Sequence, residues 1–351
     1  MDEIDTDKKH NLTEPLIATD AKAMAAAFES SGDDGIEEMA SDSEETQNEY
    51  ARIMKIAAPS MICQFCLMTP NCINIWAAGN FDKTVLTDVV GLGMGVVNSF
   101  GMAIFLGLNS ALYTFFAQSI GKKQLLVCGQ FRQKAKLVLF VALVLLIPFY
   151  LCCGWILAAL GQNKEVSRLA GYFILYYVPG TVMMAFVDID RILLTNLDQT
   201  YNAMLCQIFT PILHFCFIYI FTIAIDFGTT GIALTYFLTN SIIYLVQLTL
   251  IAHTPEAEEI YQVPFFDRDN FRHMKQYMDV AGPAVISMLA EFAVFDIQIF
   301  LMGEVDLESQ ASMIIFMNLS TQIFSIYYGL QNACSTLVGQ YVGKGNASKA
   351  K

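Results

Sequence analysis

The chain has 351 residues, of which 55% are hydrophobic and only 15% are charged. A soluble protein of this length carries far more charge on its surface, so the composition excludes a soluble globular protein and predicts one that spans a membrane. The net charge of −13 is local, because the first 50 residues carry 15 acidic and 3 basic side chains whereas the remainder carries 18 and 17. Without a basic patch, no nucleic-acid partner is expected.

Residues 1–50 form a predicted acidic tail, which has too few aromatic and aliphatic side chains to order itself. After this tail, eight apolar stretches are long enough to cross a bilayer as helices of about 20 residues. They cover residues 53–79, 86–117, 136–160, 169–193, 203–225, 229–252, 278–303 and 309–340. The sequence therefore predicts an all-α, polytopic membrane protein with about eight transmembrane helices, embedded in a lipid bilayer.

The distribution of basic residues predicts the orientation of these spans. With the N-terminus in the cytosol, the segments on the cytosolic side near the membrane hold 14 lysines and arginines. The opposite loops hold three, which are Lys83, Lys164 and Arg168. Because cytosolic loops are enriched in basic residues, we expect the N-terminus and the tail to be cytosolic.

An internal repeat gives the domain organisation. Seven identities at an offset of 222 residues relate the second and eighth spans, among them Gly107/Gly329, Gln118/Gln340 and Gly121/Gly343. A weaker match at an offset of 224 relates Met54 to Met278 and Pro59 to Pro283. A repeat of six spans predicts two parallel bundles about an axis along the membrane normal. We expect a first six-helix bundle at 51–253, a cytosolic linker with an interfacial segment at 254–277, and two helices of an incomplete second bundle at 278–351, so that a twelve-helix architecture is truncated.

Charged residues inside the spans are candidates for function, since they are costly in a bilayer. Glu291 lies near the middle of the seventh span, and Asp296 follows five residues later. A carboxylate at that depth must face a wet cavity or take a proton, so both residues are predicted proton or substrate sites. The alternative is a structural acid bonded to a neighbouring helix.

Other polar groups are candidates for lining a pathway or for joining helices. They are Asn98, Gln118, His214, Asn318 and Gln340. A single membrane histidine is usually an interhelical hydrogen-bonding group, so a proton relay through His214 is the less favoured alternative. Asp188, Asp190, Arg191 and Asp198 at the inner end of the fourth span predict a network of ion pairs at the cytoplasmic face.

Enzymatic and metal-dependent functions find little support in the sequence. Cys63-x-x-Cys66 has the spacing of half a metal site, but neither a histidine nor a second cysteine pair accompanies it. Cysteine in a membrane helix is usually a small packing residue. We expect no metal, no cofactor and no enzymatic activity, because no nucleophile–base pair or cofactor loop is present.

Several segments resemble, in order along the chain, the multidrug and toxic compound extrusion (MATE) family, and its eukaryotic branch in particular. They are Gly107-Leu-x-x-Ala-Leu-x-Thr114, Gly129-x-Phe131-x-Gln133-Lys134, Leu160-Gly-Gln-Asn-Lys-Glu-Val166 and Gly329-x-x-x-Ala333-x-Ser335-Thr336. Pro283, Glu291 and Gly303 are similar to the seventh helix of that family. Some bacterial members use acids in the first and fifth helices, whereas the first span here has Asn71 and Asn74.

The resemblance implies a secondary antiporter that exports organic cations and other xenobiotics in exchange for protons or sodium. Glu291 then matches the first of the acids that couple transport in the eukaryotic branch, and Asp296 takes the place of the second, which is usually glutamate. Two alternatives are a non-transporting membrane fragment or subunit, and a lipid-linked saccharide flippase of the same superfamily. The expected location is the plasma membrane or a vacuolar or vesicular membrane, and the sequence gives no oligomeric state.

Overall fold

The computed structural model describes residues 41–80, 84–265, 274–303, 307–346 and 350, and the regular elements within them are helices. The α-helices are α1 Ser41–Gly79, α2 Thr84–Val97, α3 Ala103–Gly121, α4 Leu125–Ala159, α5 Lys164–Asn196, α6 Thr200–Ile218, α7 Gly228–Ala252, α8 Ala257–Tyr261, α9 Met274–Gly303 and α10 Leu307–Gly343. Most of the predicted tail, residues 1–40, lies outside the described residues.

Each of the eight predicted spans corresponds to a long helical run. The second run consists of α2, the π-helical turn Asn98–Met102 and α3. Within the described residues, seven runs are long and apolar enough to cross a membrane, and α10 is not among them. Polar side chains of α10 face α1 and the interior instead of lipid, as Gln322 and Asn332 do. The polytopic all-α prediction is confirmed.

The first helix begins earlier than hydropathy predicts. α1 starts at Ser41, so residues 41–50 are helical although their composition assigned them to the tail. The segment is too polar for the bilayer, but its three glutamates and its glutamine are compatible with helix. Hydropathy detects the apolar part of a helix and not a polar extension of it.

Two clusters of buried apolar side chains form the core of the first bundle, which comprises α1 to α7. α5 lies at its centre and packs against α2, α3, α4 and α7. The last part of α5, residues 187–196, is buried throughout even though it carries three charged side chains. These charges need partners inside the protein, which the site described below supplies.

The two helices that follow the linker pack on the first bundle about a pseudo-two-fold axis. α9 packs against α3, where a β-carbon added at Gly107 would lie 2.6 Å from Val285 Cα. α10 packs against α1, where Gly329 meets the backbone of Met61 in the same way. Gly107/Gly329 differ by 222 and Met61/Val285 by 224, which are the two offsets of the sequence repeat. The repeat therefore encodes the close contacts between the two parts.

α3 and α10 also cross each other at one end of the molecule. A β-carbon on Gly121 would lie 2.6 Å from the carbonyl oxygen of Gln340, and one on Gly343 would lie 2.5 Å from that of Gln118. Nearby, Arg52 Nη1 donates a hydrogen bond of 2.8 Å to Tyr341 Oη. We call this end, formed by the crossing and by Arg52 and Tyr341, the base. The two parts are in tight contact there.

The described part of the linker is attached to the first bundle. α8 packs on α4, and a β-carbon on Gly129 would lie 2.5 Å from the carbonyl oxygen of Ile260. Gln133 Nε2 donates to the carbonyl oxygen of Val263 at 3.2 Å, and the Arg132 guanidinium lies 5.1 Å from the centre of the Tyr261 ring. The predicted interfacial segment falls largely on residues 266–273, which lie outside the described residues.

Candidate functional site

A cavity of about 290 Å³ lies between the first bundle and the pair α9–α10. α1, α3 and α5 form one wall, and α9 and α10 form the other. Most of its lining side chains are polar or aromatic: Gln64, Met68, Leu106, Ser110, Tyr113, Thr114, Asp188, Arg191, Met288, Glu291, Phe292, Phe295, Thr321, Phe324, Ser325, Tyr328, Gln331, Asn332 and Ser335. Its size is near the lower limit of pockets that bind small molecules.

Glu291 of α9 faces this cavity and is half-buried. Its Oε1 accepts a short hydrogen bond from the hydroxyl group of Tyr328 on α10. The ion pairs among the described residues join Arg132 to Asp190 and Arg191 to Asp188, and Glu291 takes part in neither. The carboxyl group is thus held by a neutral donor, and no basic side chain pairs with it among the described residues.

A buried ion pair lies on the opposite wall. Asp188 and Arg191 are three residues apart on α5, which places them on one face of the helix, and Arg191 Nη2 lies 2.6 Å from Asp188 Oδ1. The same Nη2 donates to Tyr113 Oη at 2.7 Å, while Asn109 Nδ2 donates to Asp188 Oδ2 at 3.0 Å. Both carboxylate oxygens and the guanidinium are therefore bound to α3 or to each other.

When Glu291 is ionised, the charges of the cavity wall sum to one negative charge. Asp188 and Arg191 neutralise each other, so Glu291 supplies the remaining charge. Three aromatic rings, Phe292, Phe295 and Phe324, lie around the same space. A negative charge beside aromatic faces favours organic cations, because both attract a cation while the rings also accept apolar groups.

The other acid of α9 is less well defined. Position 296 is helical, but the Asp296 side chain lies outside the described residues. Its predicted role in proton or substrate binding therefore stays a prediction. Asp296 follows Glu291 by five residues, which corresponds to a net rotation of about 140° on a regular helix.

The five polar candidates for lining a pathway do not contribute to the cavity wall. Asn98 begins the π-helical turn of the second run, and Asn318 is half-buried on α10. Gln118 and Gln340 lie at the base, where Gln340 Nε2 donates to the carbonyl oxygen of Asn196 at 3.1 Å. Gln118 and Gln340 are equivalent positions of the repeat. Both lie at the contact between α3 and α10, and neither belongs to the cavity wall.

His214 joins a separate polar network inside the first bundle. Its Nε2 lies 2.8 Å from Asn74 Oδ1 and its Nδ1 lies 3.2 Å from Thr239 Oγ1. Asn74 Nδ2 donates to Tyr177 Oη at 3.2 Å, and Tyr177 Oη donates to Asn71 Oδ1 at 3.5 Å. With Asn74 oriented in this way, His214 carries its proton on Nε2 and accepts from Thr239. The network links α1, α5, α6 and α7, as expected for an interhelical hydrogen-bonding histidine.

The predicted ion-pair network of the fourth span is present, but it is buried. Arg132 of α4 binds Asp190 with its Nε at 2.7 Å and its Nη2 at 3.0 Å, and both residues are almost inaccessible. Asp198 is exposed in the turn after α5, with a φ of 59°. Sequence reasoning placed Asp188 and Arg191 at the cytoplasmic face and missed that they line the cavity, because spacing alone does not reveal which neighbour a helix face meets.

The cysteines of the Cys63-x-x-Cys66 spacing lie in α1. No cluster of three or more histidine, cysteine, aspartate or glutamate side chains occurs in the part of the chain that the structure describes. Cys63 and Cys66 are buried, and Cys63 belongs to the core of the first bundle.

Comparison with known proteins extends these observations. The family model described as MatE matches residues 48–220 and 283–351. Protein DETOXIFICATION 53 of Arabidopsis thaliana is 25% identical to this chain over 86% of the chain and 62% of its own length. Multidrug and toxin extrusion protein 2 of Mus musculus is 24% identical over 88% of the chain and 53% of its own length. The chain thus spans less than two thirds of these curated relatives.

Solved structures show the same fold. The crystal structure of the eukaryotic MATE transporter AtDTX14 matches with a TM-score of 0.80 and 18% identity, over 87% of this chain and 68% of that one. At this identity the match concerns the fold alone, namely a six-helix bundle with two further helices packed about a pseudo-two-fold axis. The sequence match covers both sides of the linker, and the chain belongs to the MatE family, the multidrug and toxic compound extrusion family.

Proposed function

We propose that this chain forms the part of a secondary antiporter that binds small organic cations and exchanges them for protons at Glu291. The observation that carries the proposal is a half-buried carboxylate in a cavity between two helix bundles, bound by a tyrosine and by no base among the described residues. Such a carboxylate has two alternative charge partners, a cation or a proton. Because one group serves both, binding of either displaces the other, and the two fluxes are coupled.

The packing of the two parts supports alternating access as the means of transport. The cavity wall includes Thr114 and Ser335, about two helical turns along α3 and α10 from Gly121 and Gly343 at the base, where the two helices are in contact. Rocking about the pseudo-two-fold axis would separate these helices and open the cavity toward the base. The basic residues near the base lead us to propose that it faces the cytosol, with the N-terminus on the same side.

Relatives support the choice of substrate class. The names of the curated relatives describe detoxification and the extrusion of multiple drugs and toxins. The net negative charge of the cavity favours cations over the anionic head group that a lipid-linked saccharide flippase would bind. Protons are the proposed coupling ion, with sodium as the alternative, and the proposed site is the plasma membrane or a vacuolar or vesicular membrane.

Transport in liposomes tests the proposal. The 351-residue chain is reconstituted, a fluorescent organic cation is enclosed on the side of the base, and a pH gradient is imposed with the opposite side acidic. We expect the gradient to drive the cation out in the parent and not in Glu291→Gln, which keeps the size of the side chain but cannot ionise.

Two results would contradict the proposal in different ways. Equal gradient-driven export by Glu291→Gln would show that the carboxylate is not the coupling group. If the parent binds the cation but does not move it, the chain is the non-transporting alternative.

A further inference from the structure

We propose that the cavity selects singly charged organic cations over dications of the same size, and that Arg191 causes this selection by neutralising Asp188. The inference rests on the proposed function, since it assumes that the positive charge of the substrate binds Glu291. It adds the number of charges to the definition of the substrate class. It also assigns a role to the buried ion pair on the wall opposite Glu291.

Three charged side chains occur among the described residues of the cavity wall, namely Asp188, Arg191 and Glu291. Asp188 and Arg191 belong to α5 of the first bundle, and Glu291 belongs to α9 on the other wall. If Asp188 were unpaired, the cavity would have a carboxylate on each wall, which is an arrangement suited to a dication. The partners of Asp188 therefore decide how many positive charges the cavity can balance.

Both oxygens of Asp188 already have partners. Oδ1 lies 2.6 Å from Arg191 Nη2, and Oδ2 accepts a hydrogen bond of 3.0 Å from Asn109 Nδ2. Asp188 and Arg191 are each 2% exposed, and Asn109 is fully buried. Breaking such a pair is costly, because the charge that remains would be buried without a partner. A cation in the cavity therefore does not recruit Asp188 as a second binding group.

The ion pair acts on a ligand through its net charge and needs no direct contact with it, since charges interact over several ångströms in a medium of low polarity. An ionised Glu291 balances the first positive charge of a ligand. A second positive charge finds no counter-charge on the described wall, and burying an unbalanced charge is strongly unfavourable. The rings of Phe292 and Phe295 attract both kinds of ligand, so the discrimination comes from the charges.

Two aromatic cations of nearly equal size test the inference on the full chain in lipid nanodiscs. N-methyl-4-phenylpyridinium carries one positive charge, and N,N′-dimethyl-4,4′-bipyridinium carries two. We expect calorimetric titration to show that the parent binds the monocation about tenfold more tightly, because the second charge of the dication stays unbalanced. Equal affinities, or tighter binding of the dication, would overturn the inference.

Two variants test the role of Arg191. Arg191→Gln removes the counter-charge of Asp188 and leaves two acids around the cavity, so the ratio of the two affinities should shift about tenfold toward the dication. A general loss of folding would weaken the binding of both cations and would leave their ratio unchanged. Adding Asp188→Asn to Arg191→Gln restores the net charge of the wall, and the double variant should regain the preference of the parent.

Controls separate the possible failures. Arg132→Gln breaks an equally buried ion pair, with Asp190, that is not part of the described cavity wall, and it should keep the preference of the parent. If the parent binds both cations equally and Glu291→Gln binds neither, the inference is overturned while the proposed function stands. If the parent binds neither cation, or Glu291→Gln binds the monocation as tightly as the parent, the proposed function fails and the inference with it. An unchanged ratio in Arg191→Gln overturns the role of Arg191.

Discussion

The side chain that holds the Glu291 carboxylate is a tyrosine, which does not neutralise its charge as an arginine or a lysine would. The donor is Tyr328 on α10, so the bond joins the two helices of the second bundle across the cavity. Hydropathy and the cost of charge in a bilayer identified Glu291 from the sequence. They did not identify Tyr328, because one tyrosine among several on an apolar helix gives no signal until the helices are packed.

Replacing Tyr328 by phenylalanine tests this bond. We expect Tyr328→Phe to weaken cation binding about tenfold, or about 1.4 kcal/mol, because the carboxylate loses the donor that orients it. Titration calorimetry in nanodiscs measures the change. Tyr327→Phe is the control, since Tyr327 is 65% exposed and its ring lies outside the cavity wall. Equal affinities for the two variants would show that the bond to Glu291 has no part in binding.

His214 offers a second test at the scale of single residues. His214→Leu leaves Asn74 and Thr239 without their partner inside the first bundle, and we expect a loss of about 1–2 kcal/mol of stability. Thermal unfolding in detergent measures it, with Cys216→Ala on the exposed side of α6 as the control. Cation binding at Glu291 should not change. An unaltered melting temperature together with slower proton-driven exchange would instead indicate a proton relay.

At the scale of helices, the sequence predicted correctly which helices exist and in which order. It predicted the residues at which they begin less accurately. Each of the eight apolar stretches is a helix, but α1 starts at Ser41 and α4 at Leu125, well before their apolar parts. The extension of α4 packs on its neighbours, as Arg132 and Gln133 show through their contacts with α5 and the linker. Hydropathy averages over such segments and therefore starts a helix too late.

The crossing of α3 and α10 is the element most directly tied to alternating access. Gly339 lies so close to Ala117 that an added β-carbon would overlap with that of Ala117. We expect Gly339→Leu to disfavour the closed base by about 1–3 kcal/mol, because the larger side chain forces the helices apart. The fraction of molecules whose base is open should increase accordingly.

Chemical labelling measures this opening. The reporter is Thr336→Cys, at a position that is inaccessible in this structure. The cysteines with exposed surface are first replaced by serine: Cys72, Cys152, Cys216 and Cys334. A membrane-impermeant maleimide on the side of the base should label Gly339→Leu faster than the parent. The control is Gly282→Leu, where an added β-carbon meets nothing within 4 Å. Equal rates in both variants would show that the crossing does not close the base.

For the whole molecule, the repeat in the sequence is the strongest predictor of architecture. Gly107 and Gly329 occupy equivalent positions on either side of the pseudo-two-fold axis, and both permit a close approach of backbones. The position of the cavity could not be predicted from the sequence, because it depends on how the α9–α10 pair packs on the first bundle. One consequence is that Asp188 and Arg191, distant from Glu291 in sequence, share its cavity.

The claim on which the transport mechanism depends is that a cation and a proton compete for Glu291. Calorimetric titration of the full chain with benzoylcholine in nanodiscs, repeated in buffers of different ionisation enthalpy and at several pH values, counts the protons released per cation bound. We expect the parent to release protons and to bind the cation more weakly as the pH falls, and Glu291→Gln to release none. Cation binding by the parent that releases no proton and is independent of pH would contradict the claim.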